Sequence, residues 1–288
     1  MFRKPVLLFL FFISVVPGFS ATISKTIFIN RGTFTTVNNT TFPFFAFNDS
    51  QVYNSLNSVL ELTTADNLLL TVINNDTIIH GFDVKNYSGI NDTINPGDTL
   101  NLNLSFTQQG VFIYYDSYNY PANRYMGLAG MICVNNNLSA KKYYWNIKDH
   151  QTGFNNSISA GGSVNFSQYD PDYFTINGKS FPELEDDTTA TVSATMSDTI
   201  LLFIANTGQS SHSLHFHGFH PKCITSSDTW IQVNSGKDSW PLKRMEAVIL
   251  MIVPDKTGKY SVHDHNLVAV SGGGIPPNGM FTIMEILP

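Results

Sequence analysis

Six of the eight histidines lie between residues 212 and 265, and four of them make two His-x-His pairs, His215-Phe216-His217 and His263-Asp264-His265. Both pairs fall in segments that read as strands or strand ends. Residues i and i+2 of a strand project from one face, so each pair offers two imidazoles to a single place. Neighbouring strands would bring all four together. Neutral imidazole suits copper, zinc, iron and nickel. The competing reading is a hydrogen-bonded polar cluster at a domain interface. No Gly-x-Ser-x-Gly elbow, phosphate loop or dinucleotide fingerprint is present, so serine hydrolysis and nucleotide chemistry have no support.

The elements that must carry these residues are short strands. Leu100-Asn101-Leu102-Asn103-Leu104 and Thr191-Val192-Ser193-Ala194-Thr195 alternate with a period of two, and Asn95-Pro96-Gly97-Asp98, Asn177-Gly178 and Pro276-Pro277-Asn278-Gly279 are turn chemistry. Helical periodicity is hard to find. Many short strands between turns predict an all-β sandwich or barrel protein. Charged residues make up 13% and aromatic residues 13% of the 288, which excludes a disordered chain. The formal net charge is -6 with no extended basic run, so there is no nucleic-acid footprint. Two cysteines exclude a disulfide scaffold, a thiolate zinc cluster and a cysteine-ligated iron–sulfur centre.

An internal repeat organises the chain. The first copy has Ile78-Ile79-His80-Gly81-Phe82, then Gly110-Val111-Phe112-Ile113-Tyr114-Tyr115-Asp116-Ser117, and closes over residues 127–134. The second has Leu214-His215-Phe216-His217-Gly218-Phe219, then Gly258-Lys259-Tyr260-Ser261-Val262-His263-Asp264-His265, and closes from Gly279-Met280. Copies of this size imply two similar sandwiches rather than solenoid units. The expected organisation is a signal peptide over 1–20, a first domain over 21–140, and a second over 141–288 carrying the His-x-His pairs.

The leader is read from Met1-Phe2-Arg3-Lys4, an apolar run over residues 6–16 broken by Ser14, and the small-x-small ending Gly18-Phe19-Ser20. Such a segment directs secretion or export to a periplasm, with an uncleaved membrane anchor as the competing reading, and no later stretch reaches about 18 apolar residues. Asn-x-Ser/Thr sequons occur at Asn38, Asn39, Asn48, Asn75, Asn86, Asn91, Asn103, Asn137, Asn155 and Asn165, which a eukaryotic pathway would use and a bacterium would ignore.

His212-Ser213-Leu214-His215-Phe216-His217-Gly218-Phe219 resembles the His-x-x-His-x-His-Gly signature of multicopper oxidases. Phe174-Thr175-Ile176-Asn177-Gly178-Lys179 resembles a stretch that opens a domain in that family. The segment from Gly258 to His265, followed by Gly279-Met280, resembles its closing His-Cys-His…Gly-Met segment. The resemblance covers nearly the whole chain beyond the leader. It implies two tandem cupredoxin-like Greek-key β-sandwich domains, copper as cofactor, a small-molecule reductant with oxygen or a nitrogen oxide as substrate, and a homotrimer like that of two-domain relatives.

Departures from the family pattern narrow that expectation. The family's blue-copper cysteine is replaced by Asp264, and the histidine expected after it falls on Ala269. A blue site needs a thiolate with two histidines, so none is expected, although His212 matches the upstream ligand position. Cys133 and Cys223 lie outside the motif, either as a disulfide or as buried thiols. Aligned on His-Gly-Phe, the first copy keeps His80 but has Ile78 where the second has His215. Tyr115 and Ser117, around Asp116, answer His263 and His265. The chain therefore retains two of the family's four His-x-His pairs and one odd histidine.

His215, His217, His263 and His265 are the expected metal ligands, with His80 as a fifth across the interface and His212 as a ligand or a polar interface residue. Asp264 and Asp116 are candidates to orient an imidazole or relay protons. His150, in Lys148-Asp149-His150-Gln151, reads as an exposed turn residue, and His220 as structural. Three functions follow: a non-blue copper oxidoreductase of reduced type, a non-enzymatic copper-binding or storage protein, or a metal-free interaction module.

Overall fold

Alternation in the sequence becomes strand structure with one face buried. In the computed structural model, which describes residues 21–90 and 92–288, Leu104 points into a core while Asn101 and Asn103 on the same strand are exposed. The leader at 1–20 and the sequon at Asn91 lie outside the described residues.

The first sandwich is built from β1 (Thr22–Thr35), β2 (Thr41–Asn48), β3 (Val59–Leu62), β4 (Asn67–Asn74), β5 (His80–Val84), β6 (Asp92–Ile94), β7 (Thr99–Ser105), β8 (Gly110–Tyr115) and β9 (Ala129–Val134). Its sheets run β2-β1-β4-β7 and β3-β9-β8-β5-β6. The second is built from β10 (Lys141–His150), β11 (Tyr173–Ile176), β12 (Ser193–Thr195), β13 (Ile200–Asn206), β14 (His212–Phe216), β15 (Lys222–Ser226), β16 (Ser239–Leu242), β17 (Ala247–Ile252), β18 (Gly258–Asp264) and β19 (Phe281–Leu287). Its sheets run β11-β10-β13-β17-β15 and β12-β19-β18-β14-β16.

The repeat is visible in the ladders. β1 pairs parallel with β4 as β10 does with β13, and β3 pairs parallel with β9 as β12 does with β19. The antiparallel pair β5–β8 answers β14–β18. Among the described residues, only β15 has no counterpart in the sheets of the first sandwich. Each sandwich closes on its own core. In the second, Trp145 stacks on Phe216 at 5.9 Å and gives its indole N–H to the Ala190 carbonyl at 2.8 Å. In the first, Phe47, Phe82 and Tyr114 pack together, and the Tyr114 hydroxyl donates to the Ser58 carbonyl at 2.6 Å.

The sandwiches meet sheet against sheet. Val111, Ile113, Met131 and Cys133 of β8 and β9 bury themselves against Leu201, Phe203, Ala247 and Ile249 of β13 and β17. Polar groups seal the margin: Arg124 donates to the carbonyls of Thr207 and Gly208, and Lys148 to Ala129 O and Thr207 Oγ1. Among the described residues no second sheet covers the face of β14 and β18 that corresponds to the packed face of β5 and β8, and that face carries the histidines.

Candidate metal centre

β14 and β18 are neighbours, with His215 directly opposite His263 in the antiparallel ladder. His217 and His265 follow the two strand ends, where the His217 N–H donates to Ser261 O at 3.0 Å and the His265 N–H to Ser213 O at 2.7 Å. Gly218 ends the first segment in a left-handed conformation (φ +78°), with Tyr260 filling the space a Cβ would need. All four rings gather on one face. From His215 the ring centroids of His217, His263 and His265 stand at 4.7, 5.5 and 5.5 Å, and His217 lies 5.2 Å from His263. His215 and His263 are half-buried; His217 and His265 are exposed.

Hydrogen bonds decide which nitrogens are free. His263 Nδ1 lies 2.8 Å from the Asp264 carbonyl, which can only accept, so the proton sits on Nδ1 and Nε2 keeps its lone pair. That lone pair meets His217 Nε2 at 3.0 Å, so the two rings share a single proton. His215 Nδ1 is held by Ser239 Oγ at 2.9 Å, leaving its Nε2 uncommitted. Partial desolvation and repulsion from His215 and His263 lower the pKa of His217, which favours the neutral ligand form. Among the described residues no three such donors converge into a closed cage. What the chain holds is a proton-bridged imidazole pair with two more imidazoles beside it. The donor chemistry fits a metal of the copper class, since that proton occupies a place a cation can take.

Beneath this face, Asp264 turns its carboxylate inward. Its Oδ2 accepts from His212 Nδ1 at 2.6 Å and its Oδ1 from Asn266 N at 2.8 Å. His212 Nε2 stands 3.8 Å from Asp149, close enough for attraction but not for a hydrogen bond. Burial opposes charge on His212, yet the two carboxylates outweigh it and push its pKa up to about 9.

The multicopper oxidase family model matches residues 159–275. Those residues are similar to a multicopper oxidase domain. No curated protein matches the sequence. Among solved structures, the chain superposes on the blue copper oxidase from Nitrosomonas europaea with a TM-score of 0.77 at 21% identity, covering 93% of this chain and 86% of that one. The copper nitrite reductase from the same organism superposes with a TM-score of 0.74 at 18% identity, covering 92% and 94%. A laccase from Botrytis aclada gives 0.70 at 15%, covering 92% of this chain and 53% of the laccase. At these identities the likeness is one of fold, and the fold is all-β and cupredoxin-like in both halves.

Within the matched residues, the position expected to carry the copper-ligating cysteine holds the Asp264 carboxylate, bonded to His212. Ala269, at the next expected ligand position, is fully buried. His212, expected as a ligand or interface residue, faces the interior with Leu214 and Phe216 and does not join the four rings. The first domain contains the same pair. His80 Nδ1 meets Asp116 Oδ2 at 2.6 Å, and Asp116 Oδ1 accepts from Gly81 N and Tyr118 N. His80 therefore answers His212, not His217, which corrects the alignment on His-Gly-Phe. Nor is His80 a free fifth ligand, because Asp76 takes its other nitrogen at 3.0 Å. The ladder partners Asp83 and Tyr115, joined side chain to side chain at 3.0 Å, stand where His215 and His263 stand in the second domain.

His150, expected in an exposed turn, is only 1% exposed at the end of β10, because the two domains close over that strand end. Phe42, Phe44 and Tyr125 surround its ring, and neither nitrogen has a hydrogen-bond partner. Desolvation lowers its pKa to about 3, so it is neutral. Cys133 and Cys223 are separate buried thiols, one at the domain interface and one in the second core, so they form no disulfide. His220 is exposed. Asp149 and Ser239 escaped the sequence reading: Asp149 is hidden in what reads as a turn, and Ser239 is a lone serine far from any motif.

Proposed function

We propose that the chain is an exported copper-binding protein of reduced multicopper-oxidase type, with a non-blue, histidine-ligated copper at the open face of its second domain. His215, His217 and His263 would hold the metal through Nε2, with His265 beside them. Bound copper would supply one-electron chemistry. Support comes above all from the 3.0 Å contact between His217 Nε2 and His263 Nε2, with His263 Nδ1 already committed to a carbonyl. An imidazole whose far nitrogen is fixed by hydrogen bonding is oriented and made more basic as a ligand. The exposure of His217 and His265 leaves the face accessible to a small reductant or to oxygen or a nitrogen oxide.

The His212–Asp264 pair holds no thiolate, so electrons would reach this site directly from a small-molecule reductant rather than through a neighbouring blue centre. Copper binding without turnover, as in a storage protein, is the second reading; it is favoured by the open arrangement, which lacks a closed cage. Copper content and the electron paramagnetic resonance spectrum of copper-loaded protein test both. About one nitrogen-ligated non-blue copper per chain, abolished in H263A/H265A together with any oxidase activity, supports the first. Copper without turnover leaves the second. No stoichiometric metal overturns both and leaves an interaction module.

A further inference from the structure

We infer that the buried His212–Asp264 pair is a positioning device that sets the tautomer and aim of the imidazoles on the outer face of β14 and β18. The inference rests on the metal-centre reading, although its first readout needs no metal. Asp264 lies between His263 and His265 in sequence, but its side chain is wholly buried on the opposite face. Its Oδ2 takes the His212 Nδ1 proton, and its Oδ1 takes the Asn266 N–H at 2.8 Å and faces Ser213 N at 3.5 Å. Its own carbonyl takes the His263 Nδ1 proton at 2.8 Å. One residue thus ties the end of β18 to the start of β14, turns the chain after the second His-x-His pair, and chooses which nitrogen of His263 faces its neighbours. Any rotation of that peptide carries the carbonyl, and with it the His263 ring, away from His217.

The first domain supplies an internal control. His80 and Asp116 make the same 2.6 Å bond, and Asp116 again accepts from the residue after the histidine and the residue two beyond itself. The outer positions above that pair are Asp83, Tyr115 and Ser117, with no imidazole among them. The device therefore belongs to the strand pair, and only the second domain places metal-ligand chemistry over it. His80 is additionally held by Asp76, which Arg31 pairs at 3.1 Å. His212 Nε2 has no such bond. The second-domain ring has its hydrogen bond to Asp264 and only a longer-range attraction to Asp149, so loss of the Asp264 carboxylate leaves it without a fixed orientation.

The test compares D264A, H212Q and, as control, D116A in the full chain. Nitrogen-15 NMR of the metal-free proteins reads imidazole tautomers, and titration with Cu(II) reads affinity. The expected result is Nδ1–H on His263 in the parent, a mixed tautomer in D264A and H212Q, and copper affinity weakened about 10–100-fold. D116A should keep both parent values. Folded D264A with the parent tautomer and affinity would overturn the proposal. If D264A or D116A fails to fold, D264N and D116N decide instead: an amide keeps one acceptor but turns its own N–H toward Asn266 or Tyr118, so D264N should mix the tautomer and D116N should not. A parent protein that binds no copper removes the metal-centre reading, while the tautomer comparison still decides this one.

Discussion

Tyr115 holds in the first domain the ladder position that His263 holds in the second, each opposite the residue that answers the other's partner: Asp83 faces Tyr115 and His215 faces His263. The Tyr115 hydroxyl donates to Asp83 Oδ2 at 3.0 Å, and burial together with that bond pushes its pKa well above that of a free phenol. A neutral phenol bonded to a carboxylate is a weak ligand set beside four imidazoles. Copper is therefore expected only in the second domain. H80A should retain the parent copper content while losing thermal stability, because Asp116 is left as a buried carboxylate without its imidazole partner, whereas Asp76 keeps Arg31. Removing one partner of such a pair costs about 3–5 kcal/mol. Loss of copper from folded H80A, by elemental analysis, would refute this assignment.

His217 gives a prediction in pH. Partial desolvation and the neighbouring imidazoles His215 and His263 all disfavour its charged form, so its folded pKa lies below the ordinary value of about 6.5. Proton NMR of the metal-free protein should show His217 titrating on the acid side of an unstructured histidine. Because copper competes with protons for neutral imidazole, the affinity should hold at mildly acidic pH and fall once His217 protonates. Titration of His217 above that of a free histidine would contradict the proton-sharing arrangement with His263.

The strand pattern and the two His-x-His pairs were legible because period-two alternation and i,i+2 spacing are local properties. His215 and His217 share a face for the reason Leu100 and Leu102 do. The partners were not legible. Ser239 reaches His215 through ladder pairing between β14 and β16, and Asp149 approaches His212 only because β10 ends in the interior. His150 was misread for the same reason: Lys148-Asp149-His150 is polar, and polarity reads as surface until a second domain covers it. The register of the repeat failed on His80-Gly81-Phe82, where three shared letters outweighed the buried His–Asp pair that sets the true correspondence.

Two buried histidines should shape stability in opposite directions. His212 has a folded pKa raised to about 9, so its contribution is complete below the unfolded value of about 6.5 and is lost as pH rises through 9. His150 has a folded pKa lowered to about 3, so its contribution is complete above about 6.5 and falls as the pH drops and the unfolded chain takes up the proton first. Chemical denaturation across pH should therefore give greatest stability near neutrality, with losses on both sides. H150L should flatten the acid limb, since leucine suits the Phe42, Phe44 and Tyr125 surroundings and removes two unpartnered nitrogens. The gain at pH 5 should be about 1–3 kcal/mol, the cost of an unsatisfied buried polar group. An unchanged acid limb in H150L would place the acid sensitivity elsewhere.

The last prediction concerns assembly. Within the chain, the β8–β9 face of the first domain is covered by Leu201, Phe203, Ala247 and Ile249 of the second. For copies to continue this stacking into a ring, the histidine face would have to meet the corresponding face of another copy's first domain, on β1, β4 and β7. That face carries Ser24, Thr26, Thr71, Asn101 and Asn103, with Leu69 as its one exposed large apolar residue among them. Asn103 is also an exposed sequon, where a glycan would stand in the way of a second sheet. A polar sheet face lacks the apolar core that stable interfaces bury. The ring of the two-domain relatives, implied by the resemblance, should therefore not form through this surface, and the chain should sediment as a monomer at micromolar concentration. L69A should leave that mass unchanged. A trimer dispersed by L69A or by a glycan at Asn103 would show that the polar face is an interface after all, and that the histidines are covered by a second copy.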